Sequence, residues 1–373
     1  MGLEGALQIT LGVTDGRIDR ASVRSTRPDL ARKLLQGRSR TEAVMALPRL
    51  FSVCARSQAA AGDLACIAAA GDLPSTTLLA RHRDAVGAEI VREAAWRTLL
   101  DWPVWINEAP SAAAVDAARG SLALTDLAPD QAGLQAIALA AFGMPAYDWL
   151  ALDSLADLDR WTAAGRSAAA RFIRQVCADD AALVAPVTVS GDPPLLPARP
   201  DTAAMLALAQ ACDGDAEFAR HPTWQGAPAE TGALARWQAD PLLIALRQRS
   251  ASRLPARFVA RLRALAQLLA GRAGPEAGAV TLPSGGGIAW VENARGLLVH
   301  QVRLDTDRAD HADHVIHYRI VAPTEWNFHP DGPLASALIG APAANLTDVK
   351  RHTEQIVHSL DPCVACHVEF DDA

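Results

Sequence analysis

Apolar and polar positions alternate near the start of the chain. In ALQITLGV and RIDRASVRS, within residues 6–25, this period of two flanks Thr14-Asp15-Gly16, an Asp-Gly turn signal, and predicts a β-hairpin. From Pro28 to Leu50 the apolar spacing lengthens to three and four, as in LARKLLQGR and TEAVMALPRL, and predicts helix. The same spacing recurs through most of residues 58–272, with Ser75 and Ser154 as expected N-caps and Gly271 as a stop. A proline-rich stretch at 183–200 is expected to be a loop between helices. After residue 280 the pattern changes again. Ser284-Gly285-Gly286-Gly287 leads into IAWVENARGLLVHQVRLD and ADHVIHYRIVAP, which predict strands joined by a polar turn at 305–311. A last helix is expected over 341–359, ahead of a cysteine-bearing tail.

The fold class that follows is α+β: a mainly helical body and a small sheet built from N- and C-terminal strands. The organisation expected is a single domain over 1–373, with a β-hairpin at 1–26, a mainly helical body at 27–280, and strands, helix and cysteine tail at 281–373. Half the residues are apolar and 21% are charged, which excludes a disordered chain. Only 5% are aromatic, which favours close-packed helices over an aromatic β-sandwich. The net charge of −7 offers no basic field, so no nucleic-acid partner is expected. No run of 18 apolar residues predicts a membrane helix, and the start lacks the basic and apolar regions of a secretory signal. A cytoplasmic protein that does not enter the membrane is expected.

Six cysteines are too few for a disulfide scaffold. Cys66, in AAAGDLACIAAA, fits a helix core, as do Cys177 and Cys212. Cys363 and Cys366 are different, because two thiolates three residues apart can bind one soft metal. Spacing alone leaves other readings open. Cys363-Val364-Ala365-Cys366-His367 formally matches a c-type haem attachment site, a redox pair would follow a strand in a βαβ unit, and a zinc half-site would need a second close pair. His311, His314 and His317 form a polar stretch that fits solvation better than metal binding.

Asp361-Pro362-Cys363-x-x-Cys366 is more specific than a bare Cys-x-x-Cys. It resembles the C-terminal Asp-Pro-Cys-x-x-Cys-x-x-His motif of nickel-iron hydrogenase large subunits. Other landmarks of that family follow in order. Leu3-Glu4-Gly5-Ala6 stands where the family has Ile-Glu-Gly-His, and Gly37-Arg38 matches a helix-ending Gly-Arg. Arg49-Leu50-Phe51-Ser52-Val53-Cys54 resembles Arg-x-Cys-Gly-x-Cys, with Phe51 in place of the first cysteine. Asn293-Ala294-Arg295-Gly296 is similar to Ala-Pro-Arg-Gly, and Ala322-Pro323-Thr324-Glu325-Trp326-Asn327 to Val-Pro-Thr-Thr-Trp-Asn. The resemblance covers residues 1–60 and 285–370, while the middle aligns by helical texture alone.

The resemblance implies a large-subunit-like fold and a set of roles. Cys54 and Cys366 fall on the positions that bridge iron and nickel. Phe51 and Cys363 fall on the positions that bind nickel alone, so one nickel ligand is lost. Arg295 and Thr324 would donate to two cyanides, with Pro323 as an apolar wall. Asp331 stands where the family has an arginine over the open metal position. Arg32 and Glu369 replace two magnesium ligands, so an Arg32–Glu369 salt bridge is expected there. Glu4 holds the proton-transfer position, or serves as a structural acceptor. Trp326 fits the core.

Iron ligands kept and nickel chemistry dismantled resemble the HupK/HoxV family of hydrogenase maturation proteins. That likeness implies a non-catalytic scaffold for the Fe(CN)2CO fragment, with no nickel and no magnesium. It would receive the fragment from HypC/HypD-type proteins and pass it to the apo large subunit, with Cys363 as an entry or exit thiol. Two other classes stay open: a catalytic or hydrogen-sensing subunit, against which Phe51 and Asp331 speak, and a metal-free structural partner of the large subunit.

Overall fold

The computed structural model describes residues 5–28, 30–125, 127, 131–182, 191–305 and 313–371. The chain divides into two compact units, one of residues 1–83, 188–232 and 275–373, the other of 84–187 and 233–274.

The first unit carries every strand found among the described residues. β1 (Ala6–Thr14) and β2 (Arg17–Ser25) form the expected hairpin. Asp15 and Gly16 both take positive φ, 51° and 71°, as a two-residue turn with the strands' own twist requires. Leu7, Ile9 and Leu11 point to the buried side of β1, in step with the sequence alternation. A second hairpin and its neighbours form a four-stranded antiparallel sheet in the order β3 (Ala277–Thr281), β4 (Gly287–Asn293), β5 (Gly296–Asp305), β6 (His314–Val321). The turn expected at 305–311 falls largely outside the described residues.

Among the described residues the strands form two sheets, one of them the expected sheet of N- and C-terminal strands. The N-terminal hairpin is not paired with β3, β4, β5 or β6. It pairs with β7 (Ala365–Phe370), inside the tail, giving the order β2-β1-β7. β7 runs parallel to β1, with Leu7 opposite Cys366 and Ile9 opposite Val368. β3 and β7 both lie where no strand was predicted.

Helices α1 (Leu30–Leu35), α2 (Arg40–Leu50) and α3 (Ala55–Ala69) follow the hairpin in sequence. α2 starts from a full capping box: Glu42 N–H donates to Ser39 Oγ, and Ser39 N–H donates to Glu42 Oε2 at 3.0 Å. α3 packs on β3, β4 and β5 through small residues. A Cβ on Gly62 would stand 2.2 Å from Leu47 Cδ1 and 2.7 Å from the Tyr318 hydroxyl, so only glycine admits this approach. Against the other elements of this unit Met205, Leu208, Ile288, Val299 and Trp326 form one fully enclosed cluster. Each such side chain contributes about 1.5–3 kcal/mol by leaving water. Trp326 is thus a core residue, as expected.

The second unit is helical. The helix Leu254–Leu269 is buried along most of its length. Phe258 meets Trp102 edge-on at 5.4 Å, and Trp102 stacks on Phe172 at 4.6 Å. Ser154 caps the helix Leu155–Ala164 by accepting from Asp157 N–H at 3.2 Å, and Gly271 stops the long helix at φ 63°. Ser75 likewise accepts from Leu78 N–H. Among the described residues no helix is long and apolar enough to cross a membrane.

Candidate metal centre

Cys54 lies at the N-terminus of α3, just past the short break that ends α2 at Phe51. A helix start carries partial positive charge, which suits a thiolate. Gln58 lies one turn along the same helix, and its Nε2 donates to Cys54 Sγ at 3.6 Å. Behind Gln58 is a fully enclosed chain of polar groups. Gln58 Oε1 is 2.9 Å from His300 Nε2, and His300 Nδ1 is 2.8 Å from the Tyr318 hydroxyl. Burial lowers the His300 pKa to about 3, so the ring is neutral. A carbonyl oxygen only accepts, so Nε2 carries the ring proton and Tyr318 donates to Nδ1. All the donors in this chain point towards Cys54.

The tail is positioned by its own helix. Leu346–Leu360 ends at Asp361, which takes the left-handed conformation at φ 52° and donates its N–H to Val357 O at 3.0 Å. Pro362 then prevents continuation, and the chain turns into Cys363. Thr324, in the short helix Pro323–Asn327 after β6, meets it there. Thr324 Oγ1 is 3.2 Å from Cys363 Sγ and accepts from Cys363 N–H at 3.3 Å. Asn327 clamps this corner: its Oδ1 accepts from Thr231 N–H at 2.9 Å and its Nδ2 donates to Leu360 O at 3.3 Å.

Arg295 arrives from the β4–β5 turn. Asn293 Oδ1 accepts from both Arg295 N–H and Gly296 N–H, which closes the turn locally. The guanidinium pairs with Asp361, Nε to Oδ2 3.9 Å, with both side chains buried at 4% and 10% exposure. Arg295 and Thr324 thus meet the two ends of Asp361-Pro362-Cys363. Pro323 is the buried first residue of its helix.

Cys366 lies in β7 opposite Leu7, and its Sγ is 3.8 Å from Val364 O. Burial first, and Cys363 second, push its thiol up to about 12. None of the six cysteines is in a disulfide. Cys66 and Cys212 are enclosed, with thiols pushed up to about 12 by burial, and half-buried Cys177 is raised to about 11 by the same cause. Cys66 and Cys212 fit the core role expected of them, while Cys177 lies at its edge.

Among the described residues no group of three or more His, Cys, Asp and Glu side chains stands close enough to hold a metal ion. The donors nevertheless suit a soft metal, because thiolates prefer soft ions and two of the three sulfurs share one tail. Holding such a cargo on all three requires the tail to adjust.

Arg32 and Glu369, expected to form a salt bridge, are both exposed and lie on different elements. Arg32 is exposed on α1, which packs against β6, and its charge acts on His317 there. Glu369 is exposed on β7 opposite Thr10. The strand's period of two puts it on the solvent side with Ala365 and His367, away from the side shared by Cys366 and Val368. Glu4 lies outside the described residues, as does His311. His317 accepts from Arg319 Nε at 3.2 Å, and Asp331 is exposed and donates its N–H to His329 Nδ1.

One pair was missed by sequence reasoning. Arg27 Nη1 bonds Glu325 Oε1 at 2.8 Å, with side chains only 16% and 12% exposed. Burial pulls the Arg27 pKa down, but Cys363, Glu325 and Cys54 together hold it above its ordinary value. Burial raises the Glu325 carboxyl, and Arg27 pulls it back. Nothing in a linear sequence joins residues so far apart, although Gln58 at four past Cys54 was visible as a helix neighbour.

The family model for nickel-dependent hydrogenases matches residues 256–369. The chain is similar to the hydrogenase expression/formation protein HoxV of Cupriavidus necator, 34% identical over 93% of this chain and 92% of that one. It is similar to the hydrogenase expression/formation protein HupK of Rhizobium leguminosarum bv. viciae, 31% identical over 100% of this chain and 98% of that one. Its fold is similar to that of the reduced, active Ni-Fe-Se hydrogenase of Desulfomicrobium baculatum, with a TM-score of 0.57 at 16% identity, covering 97% of each chain. With a hydrogenase fold and relatives that match it from end to end, the chain belongs to the HoxV/HupK family of hydrogenase expression/formation proteins.

Proposed function

We propose that this protein is a non-catalytic scaffold in nickel-iron hydrogenase maturation. It holds the Fe(CN)2CO fragment as cargo through Cys54, Cys366 and Cys363, takes it from HypC/HypD-type proteins, and passes it to the apo large subunit. The observation that carries this reading is the meeting of Cys363 with Thr324, while Arg27 feels the sulfurs of both Cys363 and Cys54. The charges of both thiols act on the same buried guanidinium, which supports this reading. A closed cage would retain a metal, whereas loosely gathered thiols release one by exchange. Thr324 and Arg295 supply hydrogen-bond donors beside the tail, the role that orients cyanide ligands. Phe51 and Asp331, where the catalytic family has a nickel thiolate and an arginine, support a non-catalytic role, and this reading requires neither nickel nor magnesium.

Infrared spectroscopy of protein purified anaerobically from its native host tests this. Cyanide and carbonyl stretches are expected in the wild type and should vanish in Cys54→Ala and Cys366→Ala. A wild type without those bands that still occupies the large subunit would instead support a metal-free structural partner. Hydrogen turnover by the purified chain would establish catalysis.

A further inference from the structure

Cys54, Gln58 and Gly62 lie four residues apart on one stripe of α3, and β5 and β6 back that stripe with His300 and Tyr318. Gln58 Nε2 reaches Cys54 Sγ at 3.6 Å, and Gln58 Oε1 reaches His300 Nε2 at 2.9 Å. His300 Nδ1 is 2.8 Å from the Tyr318 hydroxyl. Gln58, His300 and Tyr318 are all enclosed, with at most 1% exposure. Among the described residues Tyr318 has no other hydrogen-bond partner. Gly62 brings α3 against the hydroxyl, since a Cβ there would stand 2.7 Å from it.

Only one direction satisfies this row of groups. Turned over, the Gln58 amide would offer its N–H to His300 Nε2 and its carbonyl to the sulfur. His300 would then carry its proton on Nδ1 and donate to Tyr318, leaving the phenolic proton stranded in a dry core. A buried donor without a partner tips the balance between the two directions by about five- to 150-fold. The hydroxyl therefore donates to Nδ1, Nε2–H donates to the carbonyl, and the amide N–H faces Cys54. We propose that Tyr318 and His300 are positioning residues for Cys54: they lock the Gln58 amide so that the sulfur meets a donor and not the carbonyl. A donor favours the thiolate over the thiol, because the bond to a charged sulfur is the stronger one. The thiol proton passes to the buffer, and no amide oxygen is turned towards the sulfur to hold it there. This deepens the cargo-holding reading and rests on it only for what Cys54 ligates.

The test uses the full chain, reduced and without cargo, alkylated with iodoacetamide at one neutral pH. Peptide mass spectrometry reads the rate at Cys54 and, in the same sample, at Cys363. The thiolate is the reacting form, and its smaller share in a thiol of higher pKa is only partly offset by its greater nucleophilicity. Loss of the donor in Gln58→Met should therefore slow Cys54 about threefold relative to Cys363. Tyr318→Phe removes one hydroxyl, frees the amide to turn, and should slow Cys54 about twofold. The double variant should match Gln58→Met, because Tyr318 acts on the sulfur only through Gln58. If Gln58→Met does not fold, Tyr318→Phe carries the test alone. A Cys54 rate that is unchanged or faster in Tyr318→Phe would overturn the proposal. So would an effect of Tyr318→Phe that persists in full on the Gln58→Met background, the mark of a purely structural role. A wild type lacking cyanide and carbonyl bands, with the order of rates intact, would refute the iron cargo and leave the lock standing. Bands with Cys54 rates alike in all variants would refute the lock alone.

Discussion

His300 has no exposed surface, and both ring nitrogens are engaged, one by Tyr318 and one by Gln58. Folding holds it neutral with a pKa of about 3, against 6.5 ordinarily. Between those values the unfolded chain binds a proton that the folded chain does not. Its contribution to stability is therefore complete above about pH 6.5 and is lost as pH falls towards about 3, at up to about 1.4 kcal/mol per pH unit. Denaturant unfolding across that range should show a steeper acid loss in wild type than in His300→Gln; parallel curves would show that the ring charges freely. Such residues explain what a sequence conceals. The apolar surroundings of Cys66 were visible in its neighbours, and the structure encloses it. His300 and Tyr318 look like ordinary strand residues, because their roles depend on Gln58, which comes from a distant helix.

At the scale of elements, the β4–β5 turn shows how a short motif acquires its residues. Asn293 closes the turn, Arg295 leaves it towards Asp361, and Gly296 takes φ 131° against Thr231. A Cβ there would stand 2.5 Å from Thr231 Oγ1 and 2.7 Å from Gly232 N. Gly296→Ala combines a backbone penalty with overpacking and should cost about 2–4 kcal/mol in unfolding free energy, measured by chemical denaturation. A cost under about 0.5 kcal/mol, the range of an ordinary surface substitution, would mean that the contact relaxes freely. Local grammar of this sort is legible. The Asp15-Gly16 turn, the Ser75 and Ser154 caps and the Gly271 stop all follow from rules reaching no further than one turn of chain. β7 escaped because Cys-x-x-Cys draws attention to chemistry, although Cys366, Val368 and Phe370 already show a strand's period of two.

For the molecule as a whole, the decisive event is the parallel pairing of its first strand with its last. That contact spans nearly the whole chain, so closing it costs loop entropy. The partner of β1 could not be chosen from sequence, because period two says which face is buried and leaves the neighbour open. The Arg32–Glu369 expectation depended on the same unknown: where β7 would sit and which way its residues would face. Truncation after Val364 should leave β1 paired only with β2. Hydrogen exchange is expected to accelerate at the β1 amides that face β7, while the β1–β2 ladder stays protected. Unchanged protection would mean that β7 adds nothing to the sheet.

The same pairing gives the tail a mechanical polarity. Six residue pairs join β1 to β7, from Ala6–Ala365 to Leu11–Phe370. Tension along the strands, from the start of β1 and the end of β7, loads those pairs together in shear. A sideways pull at Phe370 loads them one at a time, as in opening a zipper. Cys366 is next to the far end of that zipper, so a partner that peels the tail reaches its sulfur only after Phe370, Glu369, Val368 and His367 have come away.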